Sequence, residues 1–193
     1  MTEPQQSTPK NVMMMAAGTG GHVFPALAVA KALQQQGCQV SWLATPTGME
    51  NRLLKQQQIP IYQIDIQGVR GNGMLRKIVA PFKILTATLS AMRYMKRLKI
   101  DAVAGFGGYV AGPGGLAARA LGIPILIHEQ NAVAGFTNTQ LARIAKTVCQ
   151  AFPKTFPESR KIVTTGNPVR QEITEILNPS WRYQERAKAE LPL

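Results

Sequence analysis

The sequence predicts an α/β protein built on a doubly wound parallel sheet. Short apolar runs alternate with helix-length patterns along most of the 193 residues, which is the rhythm of strand–helix–strand units with right-handed crossovers. Two of these runs stop in a cluster of glycines just before a helical pattern, as buried parallel strands do at a strand-to-helix turn. An apolar content of 45% is sufficient for a buried core.

The first elements form a βαβαβ unit. Residues 12–16 are an apolar run that ends in glycine, which predicts the first strand. Pro25 predicts the start of a helix whose apolar face extends to Gln36, and Gly37 suits the position after its last turn. The next predicted elements are a strand at 39–44, a helix at 49–57 and a strand at 61–66.

A long helical pattern, 74–98, follows a glycine-containing loop, and Pro81 predicts a kink or a restart within it. The later predicted elements are strands at 100–104, 124–128, 147–151 and 162–165 and helices at 116–121 and 139–145. Residues 1–10 are predicted to be a disordered tail, 11–168 a Rossmann-like domain, and 169–193 a helical connector toward a further domain.

The charge balance favours an anionic partner. Lys and Arg number 22 against 10 Asp and Glu, a formal net charge of +12, which suits nucleic acid, acidic lipid headgroups or phosphorylated substrates. The aromatic residues are not interleaved with the basic ones, so nucleic acid is the weaker candidate. Cys38 and Cys149 stand far apart, and no Asp-x-Asp or carboxylate pair occurs. The sequence therefore predicts reduced thiols and neither a metal nor a cofactor.

The two glycine clusters predict a phosphate site. Glycine permits positive φ and a close approach of the backbone, and the amides of a helix start attract anions. The nicotinamide fingerprint G-x-G-x-x-G fails, because Val23 and Val110 stand where the third glycine belongs, and no acid directly follows the second strand. A P-loop is excluded by the absence of Gly-Lys-Ser or Gly-Lys-Thr.

Polar side chains follow the same predicted strand ends. His22 comes directly after the first glycine turn, where an imidazole can act as a general base or only bind phosphate. Glu129 and the preceding His128 lie at the end of the fifth strand. Both are predicted to face the ligand-binding cleft at the carboxyl ends of the strands. Glu129 can accept a hydrogen bond from a ligand hydroxyl, orient His22, or cap the following turn. Asn131 can donate and accept at once, which suits the hydroxyl groups of a ligand.

A basic segment lies between Asp65 and Asp101, where eight Lys or Arg residues occur without any acid. Its first turns combine apolar and basic residues in a pattern that favours an interfacial segment on anionic lipid. The alternative is a crossover helix with an ordinary core face, which we favour for Leu85, Leu89 and Met92. The predicted membrane residues are Met74, Leu75, Arg76, Lys77, Ile78, Val79, Phe82 and Lys83.

Four motifs in order carry a family resemblance. They are GTGGHVFP at 18–25, GGYVAGPGG at 107–115, HEQN at 128–131 and GNPVR at 166–170. Over residues 12–170 the chain resembles the MurG-like peptidoglycan glycosyltransferases of bacteria. One departure is Ala17, where that family usually has another glycine.

The resemblance implies the amino-terminal, Rossmann-like half of a GT-B glycosyltransferase. Such enzymes transfer N-acetylglucosamine from UDP-N-acetylglucosamine to the C4 hydroxyl of lipid I, with inversion, at the cytoplasmic face of the bacterial inner membrane as peripheral proteins. This half alone is expected to be inactive. The rival interpretations are a sugar-nucleotide-modifying enzyme and a basic domain that docks on membranes or anions.

The resemblance also implies residue roles. The diphosphate of lipid I is expected to lie against the two glycine turns, with Asn131 and Arg170 near the donor and His22 as the candidate base. The residues expected to hold the diphosphate are Thr19, Gly20, Gly21, Gly107, Gly108 and Tyr109.

Overall fold

The computed structural model describes residues 10–66 and 74–168, with only the backbone for 74–78. The elements in chain order are β1 (Asn11–Ala16), α1 (Gly20–Gln35), β2 (Gln39–Ala44), α2 (Glu50–Gln56), β3 (Ile61–Gln63), α3 (Met74–Arg97), β4 (Ala102–Gly107), α4 (Ala111–Ala120), β5 (Ile125–Glu129), α5 (Phe136–Ile144), β6 (Thr147–Gln150) and β7 (Ile162–Thr164).

The strands of the described residues form one parallel sheet of seven in the order β3-β2-β1-β4-β5-β6-β7. The predicted doubly wound parallel sheet is therefore confirmed. Chain order runs outward in one direction from β1 and in the other from β4, so the switch point lies between these two strands. Open α/β sheets bind ligands beyond the carboxyl ends of the strands at such a point.

A hydrophobic core lies on each face of the sheet. Met13 and Met15 of β1 belong to the core shared with α3, α4 and α5, whereas Met14, between them, belongs to the core shared with α1. This alternation follows from the two-residue period of a strand. Because both faces are covered, β1 is apolar from Val12 to Ala16, and all three methionines are fully buried.

Three helices begin earlier than the sequence predicts. The smallest shift is that of α5, which starts at Phe136 and not at residue 139. Helix α1 starts at Gly20 and not at Pro25, because the amides of His22 and Val23 already donate to the Thr19 carbonyl. Pro25 lies in the second turn, where a proline removes one helical hydrogen bond. Helix α4 starts at Ala111 and not at residue 116, and Pro113 lies in its first turn, where proline is tolerated.

Three further boundaries differ. Helix α3 continues through Pro81 without a restart. Strand β3 ends at Gln63, although the predicted strand extends to residue 66. Strand β4 begins two residues later than predicted and extends to Gly107, so the second glycine cluster starts inside the sheet. Residues 1–9 of the tail predicted at 1–10, and the whole connector predicted at 169–193, lie outside the described residues.

Candidate functional site

The two glycine turns follow β1 and β4, which are neighbours at the switch point of the sheet. Gly18 has a φ of 98°, and Gly107 and Gly108 have φ values of 104° and 82°. Residues with a Cβ rarely adopt these angles, so glycine is needed at all three positions. The predicted phosphate site therefore has both of its turns at the edge where α/β proteins bind ligands.

The second turn packs directly on the first. A Cβ on Gly108 would lie 2.1 Å from the carbonyl oxygen of Ala17, and a Cβ on Gly107 would lie 2.8 Å from Cδ2 of His22. Tyr109, the next residue, is half exposed. Gly107 and Gly108 therefore lie against the first turn, as expected if the two glycine turns form one phosphate site.

The backbone conformation at position 17, which is occupied by Ala17, does not require a glycine. Ala17 is fully buried, and its φ is not positive, so its methyl group introduces no backbone strain. The contact that it makes with Gly108 runs through its carbonyl group, which any residue supplies. The departure from the family pattern leaves the geometry of both turns intact.

His22 lies in the first turn of α1 and connects the two glycine clusters. Its Nδ1 is 3.1 Å from Oγ1 of Thr19, and its ring faces the backbone of Gly107. Burial lowers the pKa of His22, while the charge of Glu129 and a hydrogen bond with the Ala17 backbone act in the opposite direction and are smaller. A lowered pKa keeps the imidazole neutral near pH 7, as a general base requires.

Glu129 is the acceptor that organises the loop after β5. One carboxylate oxygen accepts from the backbone and side-chain amides of Asn131 at 3.0 and 2.8 Å. The other accepts from the Gly135 amide at 3.0 Å and from Nδ2 of Asn138 at 2.9 Å. Of the three roles predicted for Glu129, this geometry corresponds to capping of the following turn. Its negative charge also opposes, without reversing, the lowering of the His22 pKa by burial.

His128 does not face the cleft, which corrects the expectation from its position at the strand end. It is buried, and its ring stacks on Phe106 with centroids 5.4 Å apart. Its Nε2 lies 3.0 Å from the Gly166 carbonyl oxygen. Successive strand residues point to opposite faces of the sheet, so Glu129, although it is also buried, lies on the other face from His128.

The sequence interpretation missed Glu50. This side chain is fully buried, and its carboxylate accepts hydrogen bonds from both the amide and the hydroxyl of Thr45 and a long one from the Gly18 amide. An acid therefore does lie at the end of β2, although it comes from the start of α2. No local sequence signal reveals this, because a glutamate in the first turn of a short helix is commonly exposed.

The predicted membrane residues lie at the start of α3. Phe82 is 68% exposed, and Val79 and Lys83 are exposed as well. The prediction that Leu85 and Leu89 are core residues is wrong, since 56% and 43% of their surfaces are accessible. Of that group, Met92 alone packs on the core. The side chains of Met74, Leu75, Arg76, Lys77 and Ile78, and the whole of Arg170, lie outside the described residues.

Across 10–66 and 74–168, no helix has the length and apolar character needed to cross a bilayer. Within the same ranges, no three His, Cys, Asp or Glu side chains are grouped closely enough to bind a metal ion.

A parallel α/β sheet with paired glycine turns and a histidine at its switch point has the architecture of the α/β proteins whose ligands bind at the carboxyl edge of the sheet. The chain belongs to glycosyltransferase family 28, because residues 12–150 match the N-terminal domain of that family. The family resemblance inferred from the four motifs is consistent with this assignment.

The named relatives are N-acetylglucosamine transferases. The chain is 82% identical over 193 residues to the UDP-N-acetylglucosamine--N-acetylmuramyl-(pentapeptide) pyrophosphoryl-undecaprenol N-acetylglucosamine transferase of Acinetobacter baumannii, covering 100% of this chain and 53% of that protein. The protein of the same name from Haemophilus ducreyi is 54% identical over 181 residues, 94% of this chain and 50% of that protein.

A solved structure agrees with this relationship. The crystal structure of Acinetobacter baumannii MurG matches with a TM-score of 0.73 at 79% identity, over 84% of this chain and 47% of that chain. The resemblance to MurG-like transferases is confirmed. The chain spans about half the length of the curated relatives it matches.

Proposed function

We propose that this chain is the amino-terminal, acceptor-binding half of a glycosyltransferase of peptidoglycan synthesis. The reaction would be the inverting transfer of N-acetylglucosamine from UDP-N-acetylglucosamine to the C4 hydroxyl of lipid I. One observation carries the proposal: two glycine turns meet at the switch point of the sheet, with His22 between them. Backbone amides at glycine turns and helix starts suit the diphosphate of lipid I.

His22 is the proposed general base. The attacking hydroxyl must lose a proton, and burial holds the pKa of His22 below its ordinary value, so the neutral form is available. A purely phosphate-binding role for His22 is the alternative. In that case the residue would contribute to acceptor binding and little to the chemical step.

A joined protein tests both statements. The chain is fused to the remaining carboxyl-terminal half of its Acinetobacter baumannii relative, and transfer from UDP-N-acetylglucosamine to a lipid I analogue is measured. The joined protein should be active and the chain alone inactive. His22→Ala should lower kcat by about 10²–10⁴-fold if His22 is the base.

Gln34→Ala, an exposed change on the same helix, is the matched control and should leave the rate unaltered. A His22→Ala variant with normal kcat and a raised KM would show that His22 is a phosphate ligand instead. A joined, folded protein that transfers no sugar would contradict the proposed function.

We also propose that the start of α3 binds an anionic bilayer, at the cytoplasmic face of the bacterial inner membrane. Phe82, Leu85 and Leu89 form an exposed apolar stripe, since their spacings of three, four and seven place them on one helical face. Lys83 is exposed beside this stripe. Apolar residues flanked by lysine and arginine suit the surface of anionic lipid.

Vesicle sedimentation tests the membrane proposal. The chain should bind vesicles rich in phosphatidylglycerol at low salt and be released at high salt, and Phe82→Asp should weaken binding by about ten-fold or more. Phe136→Asp is the control, because Phe136 is equally apolar and 79% exposed but starts α5. Equal binding by wild type and Phe82→Asp would contradict the proposal.

A further inference from the structure

Glu50 is a fully buried carboxylate that the proposed reaction does not use. It lies in the first turn of α2 and reaches back to the carboxyl end of β2, beside the first glycine turn. Burial of a charged group is costly unless hydrogen bonds satisfy it. The donors that satisfy this carboxylate therefore indicate what it holds in place.

The two carboxylate oxygens of Glu50 have different partners. Oε1 accepts from the backbone amide and from the hydroxyl of Thr45, each at 3.1 Å. Oε2 accepts from the Gly18 amide at 3.5 Å. One side chain thus links the loop after β2 with the first residue of the glycine turn after β1.

The surrounding loop is shaped around this carboxylate. A Cβ on Gly48 would lie 2.0 Å from Oε1 of Glu50, so a side chain at that position would collide with it. The neighbouring Asn51 donates from Nδ2 to the carbonyl oxygens of Thr45 at 2.7 Å and Gly48 at 3.0 Å. The loop and the start of α2 therefore form one hydrogen-bonded unit behind the glycine turn.

In nicotinamide-binding sheets the acid at the end of the second strand contacts the ligand. Here the acid is fully buried, and its hydrogen bonds run to the protein. We propose that Glu50 is a positioning residue, which fixes Gly18 so that the remaining amides of the first glycine turn keep the arrangement that binds the substrate diphosphate. This inference rests on the proposed function for its ligand.

Replacement by glutamine separates the two links. In Glu50→Gln the amide oxygen can keep both bonds from Thr45, but the new NH₂ group then faces the Gly18 amide, and two donors cannot bond to each other. In the opposite orientation the Thr45 hydroxyl could accept from the NH₂ group, but the 3.1 Å bond from the Thr45 amide would be lost to keep the longer 3.5 Å bond from Gly18. The variant is expected to fold with the hydrogen bonds between residue 50 and Thr45 kept and the hydrogen bond from the Gly18 amide lost.

The joined protein described above gives the kinetic readout. Glu50→Gln should raise KM for the lipid I analogue by about ten-fold or more, with kcat changed by less than about three-fold, because the defect lies in binding geometry. Thr45→Val is the matched control: it removes one bond to Oε1 and leaves the link to Gly18, so it should lower stability without raising KM. Glu158→Gln, at an exposed site, controls for the change of charge.

Amide exchange of Gly18, measured by NMR on the chain without ligand, separates this inference from the proposed function. Exchange at Gly18 should be faster in Glu50→Gln than in wild type and unaltered in Thr45→Val, even if no transferase activity is found. If Glu50→Gln does not fold, Gly48→Ala replaces it, because the added methyl displaces the carboxylate from the other side. Unaltered Gly18 exchange and unaltered KM would overturn the inference, as would an equal rise of KM in Thr45→Val.

Discussion

The two glycine turns have similar sequences but use glycine for different physical reasons. In the first turn Gly18 and Thr19 are exposed, and a Cβ on Gly18 would meet no atom within 4 Å. In the second turn a Cβ on Gly107 or Gly108 would collide with His22 or Ala17. The first turn therefore needs glycine for its backbone angle and for open access, and the second also needs it to pack against the first.

This difference assigns separate tasks to the two turns. The second turn acts as the support, since its backbone fills the space beside Ala17 and His22. The first turn presents its amides at the exposed edge of the sheet, with Glu50 holding it from behind. A substitution in the support should affect folding most, whereas one in the exposed turn should affect ligand binding most.

The largest expected effect is that of Gly108→Ala. It combines the strain of a φ of 82° with a clash against the Ala17 carbonyl oxygen, so the free energy of unfolding should fall by about 3–5 kcal/mol. Urea denaturation measures this. Gly37→Ala is the matched control, since Gly37 has the same φ of 82° but open space around it. Equal losses in both variants would show that the packing of the two turns contributes nothing.

Gly18→Ala should have a smaller effect on stability. Its φ of 98° is strained for alanine, but no atom lies in the way of the methyl group, so the loss should be about 1–2 kcal/mol. In the joined protein, KM for the acceptor should rise more than in Gly37→Ala. A loss of stability as large as that of Gly108→Ala would refute the distinction between the two turns.

The smallest expected effect is the pH dependence contributed by His22. Burial lowers its pKa below the ordinary 6.5, so the unfolded chain binds a proton more readily than the folded one. Stability is therefore complete above about pH 7 and decreases as the pH falls below 6.5. Urea unfolding at pH 7.5 and 5.5 should show a smaller decrease in His22→Gln than in wild type. The same decrease in both would contradict the assignment.

The regular parts of the fold are those that the sequence predicts well. The strand at Gln39–Ala44 has the bounds that its apolar run indicates, because burial of both faces leaves a continuous apolar signal. The starts of α1 and α4 are mispredicted, because glycines and prolines inside a helix resemble a turn. In α4 the glycines are packing residues: a Cβ on Gly114 would meet Sδ of Met15 at 2.4 Å, and one on Gly115 would meet Leu141 at 2.3 Å.

Parts of the candidate site cannot be predicted from the sequence, because the neighbours of these residues are set by the fold. The motif residues His22 and Glu129 are visible in the sequence, but whether Glu129 faces a ligand or its own loop depends on which donors the fold brings to it. Leu85 and Leu89 have the spacing of a core face and are nevertheless exposed. Periodicity identifies an apolar face of a helix without saying what covers it.

The sequence by itself determined the alternating parallel fold, the two glycine turns and the family, because these depend on the order and spacing of residues along the chain. Only the tertiary structure decided that the turns touch, that the Glu50 carboxylate lies behind Gly18, and that His128 turns into the interior. The physical reason is that these contacts join residues distant in the chain. Their geometry depends on the register of neighbouring strands and on the space that the packing leaves.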